Sequence, residues 1–264
     1  MRPSFRALAL IVLARLAAAA AAQDAVPAPE PEPQPAAPAP STAPTAPAPA
    51  VPVPAPSFSP APAPVPSRVD ALELYRQGRN LESAGRTAEA QGRYREAVAV
   101  CDRELAADPA RMDAYAVKCW SLFRLDRFRE VVDTANAGLK VRYDPRLSEV
   151  MGEAYFHLGN NDLALKNLQR YIENMGEFGD RVSTAYFYMG EIYQRLRKYD
   201  HADIAYALAL HRDPSMSRWW FRYGQAVEAL KDYRRAADLY ARALKLSPEM
   251  KEASDALARV RSRI

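Results

Sequence analysis

The chain has 264 residues, with 36 Lys and Arg against 32 Asp and Glu for a net charge of +4, and only two Cys. So small a basic excess, with both signs mixed along the chain, does not give the basic stripe with interleaved aromatics expected of a nucleic-acid binder. Arg2 and Arg6 precede an apolar run over Ala7 to Leu13, and an Ala tract follows over Ala17 to Ala22, ahead of Gln23. A charged start, a short apolar run and a small-residue exit predict a secretory signal over 1–22, cleaved near Gln23, and hence an exported, periplasmic protein. The run is shorter than the ~20 residues of a spanning helix. Arg15 interrupts it, and the alternative is an uncleaved segment anchoring the chain in the inner membrane.

Residues 23–66 form a second segment. Seventeen of the 22 prolines lie between 25 and 66, alternating with Ala, Val, Ser and Thr, and no Gly is among them. Such a stretch cannot bury a core and predicts an extended, semi-rigid spacer. At ~3.1 Å per residue its reach is on the order of 130 Å. It is similar to the proline spacers of bacterial envelope proteins. Ser67 to Asp70 then reads as a capping sequence for a helix beginning before Gly78.

From there the chain repeats. YGQAVEALKDYRRAADLY at 223–240 matches MGEIYQRLRKYDHADIAY at 189–206, thirty-four residues earlier. Counting from Ser217, the unit places Trp220, Tyr223, Gly224 and Val227 on one helical stripe, and Tyr233, Ala236, Tyr240 and Ala243 on a second. Counting from Ser183, the corresponding residues are Tyr186, Met189, Gly190 and Tyr193, then Tyr199, Ala202, Tyr206 and Ala209. Small residues let paired helices approach, large ones fill the space beside them, and Pro214 or Pro248 stops the second helix. This pattern resembles the tetratricopeptide repeat (TPR) family. Weaker units start at Gly78, Met112 and Pro145. The unit from Pro145 is four residues longer, has Tyr171 where a small residue is expected, and predicts an extended loop over 176–180. The resemblance implies an all-α, right-handed solenoid of about five helix pairs, over 78–111, 112–144, 145–182, 183–216 and 217–250. A capping helix follows over 249–264, with Ala253, Leu257, Val260 and Ile264 on its inner stripe.

Nothing in the sequence points to catalysis. It has no G-x-x-x-x-G-K, H-E-x-x-H, G-x-S-x-G or C-x-x-C, and its three His are scattered. The expectation is a non-enzyme without metal or cofactor. Cys101 and Cys119 both fall at core positions, where two free buried thiols are favoured over a disulfide. What remains is binding. In the TPR family, the second, fifth, ninth, twelfth and thirteenth positions of each first helix line a concave groove that holds peptides. The resemblance carries that role to Arg86, Trp120, Phe123, Arg124, Phe156, His157, Phe187, Arg195, Arg218 and Phe221. Trp120, Phe123, Phe156, Phe187 and Phe221 are expected to form one continuous apolar strip, flanked by Arg124, Arg195 and Arg218. The Lys/Asn pattern of chaperone-tail binders is missing, with Glu149 and Glu153 among the residues in its place. The function implied is a protein-binding adaptor in a bacterial envelope with a protein or peptide partner. The membrane is touched only if the signal is retained, and oligomeric state is left open. The alternatives are a small-ligand-binding accessory of a transport system, or a structural subunit assembling through the solenoid ends.

Overall fold

The computed structural model describes residues 70–176 and 179–264. The expected signal, the spacer and residues 67–69 of the capping sequence lie outside the described residues, as do residues 177 and 178 of the expected loop. Among the described residues there are eleven α-helices and no strand.

The helices pair in chain order. The pairs are α1 (Ala71–Ser83) with α2 (Thr87–Ala107), α3 (Met112–Arg124) with α4 (Phe128–Val141), and α5 (Pro145–His157) with α6 (Asn161–Met175). Then come α7 (Val182–Arg195) with α8 (Tyr199–Arg212), α9 (Ser217–Ala229) with α10 (Tyr233–Leu246), and a single α11 (Lys251–Arg261). Each first helix packs on its own second helix and on its neighbours in the adjoining pairs, so the core runs along the stack as a series of clusters. Asp70 caps α1 by accepting the Leu72 N–H at 2.9 Å, and Asp144 caps α5 by accepting that of Arg146 at 2.9 Å. Those caps satisfy amide groups that the first turn of a helix leaves without a partner.

The turn inside every pair contains one residue in the left-handed region. These are Gly85 (φ 75°), Asp126 (57°), Gly159 (78°), Arg197 (57°) and Lys231 (65°). Three of the five have a side chain where glycine is cheapest. Directly behind the turn the helices touch. A Cβ on Gly190 would lie 2.6 Å from the Tyr206 ring, and one on Gly224 2.5 Å from that of Tyr240. These tyrosines are completely buried. Their hydroxyls donate to carboxylates, from Tyr206 to Glu191 at 2.6 Å and from Tyr240 to Glu228 at 2.7 Å. A buried aromatic body with a satisfied polar tip is thus the filling of the pair.

The same contact corrects the phase of the first unit. A Cβ on Gly78 would meet the Tyr94 ring at 2.4 Å, and the Tyr94 hydroxyl donates to Glu82 at 2.8 Å. Gly78 therefore occupies the close-approach position, and Gly85, which the sequence pattern assigned to it, is the turn residue. The first pair begins at Ala71, not Gly78. Its second helix has 21 residues where the corresponding helices have 14 or 15, and this extension absorbs the difference. Glu104 lies in the extension, buried, with Arg111 at 3.5 Å.

Three other expectations are adjusted. Tyr171 is accommodated, buried, because the chain bends around it: its hydroxyl accepts the Arg181 N–H at 3.3 Å, and Gly179 sits so close that a Cβ there would lie 3.1 Å from the Tyr171 oxygen. The capping helix starts at Lys251 rather than 249, because Ser247 to Met250 makes a turn closed by the Met250 N–H on the Ser247 carbonyl at 3.1 Å. Ala253, Ala256 and Val260 are buried by it, whereas Ile264 lies past its end and is exposed. Cys101 and Cys119 are free and buried, and burial pushes the Cys101 thiol up to about 12.

Candidate functional site

The first helices stand side by side, and their outward residues make the groove. One cavity in it, about 210 Å³, is bounded by α1, α3, α5 and Arg181. Tyr75, Trp120, Phe123 and Val150 supply apolar wall, and Arg79, Arg124, Glu149, Glu153 and Arg181 supply charge. Trp120 packs on Tyr75 with ring centres 5.7 Å apart. From Phe123 a run of rings continues along the groove: Phe123 to His157 (5.4 Å), His157 to Phe156 (5.3 Å), Phe156 to Tyr188 (5.2 Å) and Tyr188 to Phe187 (5.9 Å). It ends where Phe187 stacks on Trp219 at 4.8 Å. These spacings are those of favourable edge-to-face and offset stacked pairs.

The expected strip is therefore present in part. Phe123, Phe156, His157 and Phe187 are brought into one run. Trp120 stands beside it across the cavity. Phe221 is separate, resting on Tyr240 at 5.8 Å and lining a second cavity with Arg218, Gln225 and Arg259. Arg195 does not flank the strip as a free charge. Its guanidinium lies over the Phe156 ring at 4.1 Å and donates to the Phe156 carbonyl (3.1 Å) and to Asn161 Oδ1 (3.2 Å). Arg86 is off the groove, paired through both carboxylate oxygens with Glu89 beside the α1–α2 turn. That correction follows from the phase of the first unit, and Arg79 and Tyr75 occupy the groove in its place. Sequence reasoning also missed Tyr188 and Trp219, which neighbour the positions carried over from the family. His157 lies flat against Phe128, and its desolvation there lowers the imidazole pKa, favouring the neutral ring.

Charge crosses the groove in an ordered way. Arg181 donates from Nε to Glu149 and from Nη2 to Glu153, both at 2.5 Å, although the two carboxylates are nearly inaccessible at 2% and 3% exposure. Burial first, and the neighbouring Glu153 second, push the Glu149 carboxyl well above the usual carboxylate range. One cation serves two acids, so the charged form of the buried Glu149 is disfavoured. Further along, Arg222 holds Glu191 at 2.6 Å and Arg259 holds Glu228 at 2.8 Å.

Family models for the tetratricopeptide repeat match residues 81–113, 151–174 and 189–251. The chain carries tetratricopeptide repeats. The TPR stack is similar to the crystal structure of the MamA protein, at 17% identity over 69% of this chain and 94% of that one, with a TM-score of 0.51. It is similar also to YrrB, at 20% identity over 71% of this chain and 91% of that one, with a TM-score of 0.52. These are likenesses of fold. No curated protein matches the chain. Among the described residues of this TPR protein, no group of three or more His, Cys, Asp or Glu is placed to hold a metal ion, and no helix is long and apolar enough to cross a membrane.

Proposed function

We propose that this TPR protein is an exported, non-enzymatic adaptor of the bacterial envelope that holds a peptide or helix of a partner protein in the groove of its first helices. The observation that carries the reading is the ring run from Phe123 to Phe187, anchored at its far end on the buried Trp219, with Trp120 and Tyr75 beside it. Half-buried aromatics on an outward helical face are the usual anchors of a binding surface. The fold relative YrrB is described as a TPR protein with an unusual peptide-binding site, which supports a peptide as the occupant. The alternatives have less support. Five cavities around the described stack carry charged side chains, unlike the enclosed apolar pocket of a small-ligand carrier. At the ends, α1 exposes Glu73, Arg76 and Asn80 and α11 exposes Lys251, Glu252 and Asp255, which suits sealed rather than assembling termini.

The test is capture from envelope extracts by the full chain and by its Trp120→Ala/Phe156→Ala variant. Each true anchor contributes on the order of 2 kcal/mol. The variant should keep its helical circular dichroism and lose the partner. Undiminished capture by a folded variant would sink the groove reading. Sequencing the N-terminus of the native protein tests export, with a start near Gln23 expected and a retained Met1 in the membrane fraction against it.

A further inference from the structure

We infer that the cavity between α1, α3 and α5 anchors an internal acidic residue of the bound peptide, an Asp or Glu flanked by apolar neighbours. This deepens the groove reading and rests on it.

The guanidinium groups around the cavity differ in how far their donors are already used. Arg181 is committed to Glu149 and Glu153. Arg124 reaches Glu82 at only 3.6 Å, well beyond the ~2.8 Å of a charge-assisted hydrogen bond, while Glu82 accepts the Tyr94 hydroxyl. Arg79 is exposed, and its guanidinium has no ion pair or hydrogen bond among the described residues. Two planar forks, one on α1 and one on α3, thus face the same cavity with donors to spare, and that geometry matches a carboxylate. On the opposite wall, the two buried acids are already paired with Arg181. A basic side chain entering here would meet Arg79 and Arg124 and compete with Arg181 for the acids. A carboxylate meets neither obstacle. Tyr75, Trp120 and Phe123 add apolar surface on either side of it, so residues flanking the acid are selected as well.

The cavity also continues past itself. Phe123 and Arg124 line a neighbouring cavity with Glu82 and Tyr94, and Trp120 lines another with Leu72 and Arg76. A peptide seated here has a path outward on both sides, which selects an acidic side chain within a chain over a free C-terminal carboxylate.

The test uses the full chain against two displayed libraries of random peptides, one internal and one with free C-termini. The internal library should enrich Asp or Glu next to Phe, Leu or another apolar residue. A winning peptide, made with both ends blocked, is then compared with its Gln counterpart by fluorescence polarisation. Arg79→Gln and Arg124→Gln should each weaken the acidic peptide by about tenfold and remove its advantage over the Gln form, whereas Trp120→Ala should weaken both forms alike. Matching circular dichroism spectra verify the fold, and Arg79→Gln alters only an exposed side chain. Winners without an acid, winners rich in Lys or Arg, enrichment only at free C-termini, or an acid preference that survives both Arg variants would each overturn the anchor. If nothing is enriched, or if winners ignore Trp120→Ala/Phe156→Ala, the groove reading falls first and the anchor falls with it.

Discussion

Glycine to alanine is a single-carbon change, and in this protein it should have opposite signs at two helical positions. A Cβ at Gly224 would lie 2.5, 2.7 and 3.1 Å from three atoms of the Tyr240 ring. Ordinary contacts begin near 3.4 Å, so the ring must retreat by most of an ångström. It is held on all sides, with no exposed surface, and its hydroxyl is bound to Glu228, which Arg259 grips in turn through both nitrogens at 2.8 and 2.9 Å. Overpacking of this kind costs roughly 1–3 kcal/mol, and a strained bond to a charged acceptor adds about 1 kcal/mol. The better helix propensity of alanine returns about 1 kcal/mol. Gly224→Ala should therefore lose about 1–3 kcal/mol net. Gly92, inside α2, has nothing within 4 Å of a built Cβ. With no clash to offset the propensity, Gly92→Ala should gain about 0.5–1 kcal/mol. Urea titrations followed by circular dichroism measure both. In a Tyr240→Ala background the penalty at Gly224 should shrink, as befits two residues sharing one space. If Gly224→Ala stabilises as Gly92→Ala does, the close approach is not what holds the pair together.

Three further outcomes follow from particular side chains. Glu149 has a folded pKa above its unfolded value of about 4.3, so its contribution is fully present below that value and is lost as pH rises through the raised pKa; the urea midpoint should fall with rising pH relative to Glu149→Gln, and parallel profiles would contradict the buried pair. Lys231→Gly should raise the melting temperature by relieving a left-handed backbone worth up to about 1 kcal/mol, while Gly159→Ala should lower it by a similar amount; a lower melt for Lys231→Gly would show that its side chain contributes more than the backbone costs. Cys101 and Cys119, buried and with raised pKa values, should react with an aromatic disulfide reagent only as the protein unfolds, and prompt labelling at neutral pH would be inconsistent with that burial.

The fold was most legible where the repeat is most regular. In the last two pairs, Gly190 with Tyr206 and Gly224 with Tyr240 are sixteen residues apart, and the same spacing separates Gly78 from Tyr94. Pro109 hid this in the first pair. A proline late in a unit reads as the stop of a second helix of standard length, as Pro214 and Pro248 do, but α2 runs several residues further than its counterparts before Pro109 is reached. The phase of the first unit shifts accordingly, and Arg79 and Tyr75 replace Arg86 as groove residues. Aromatics at regular groove positions, such as Phe123, Phe156 and Phe187, could be placed because a helix presents them at fixed intervals. The pairing of Arg181 with Glu149 and Glu153 could not. Arg181 comes from the irregular segment after α6, 28 and 32 residues from its acids, and periodicity carries no information about such a partner.

Carboxylates of the first helices meet arginines from the next pair along: Glu82 and Arg124 loosely, at 3.6 Å, then Asp113 and Arg146, Glu149 and Glu153 with Arg181, Glu191 with Arg222, and Glu228 with Arg259. Every such tie runs from one helix pair to the next, across the second helix that lies between them in sequence. Under mechanical load the stack should accordingly behave as a spring with breakable links in series. All links in series carry the same tension, and when the Arg259 tie opens, Glu228 and Tyr240 lose their clamp while the ties of α7 can stay closed. In a single-molecule stretching experiment the extension should come in several small steps, and on relaxation each link can close again against a neighbour that is still folded.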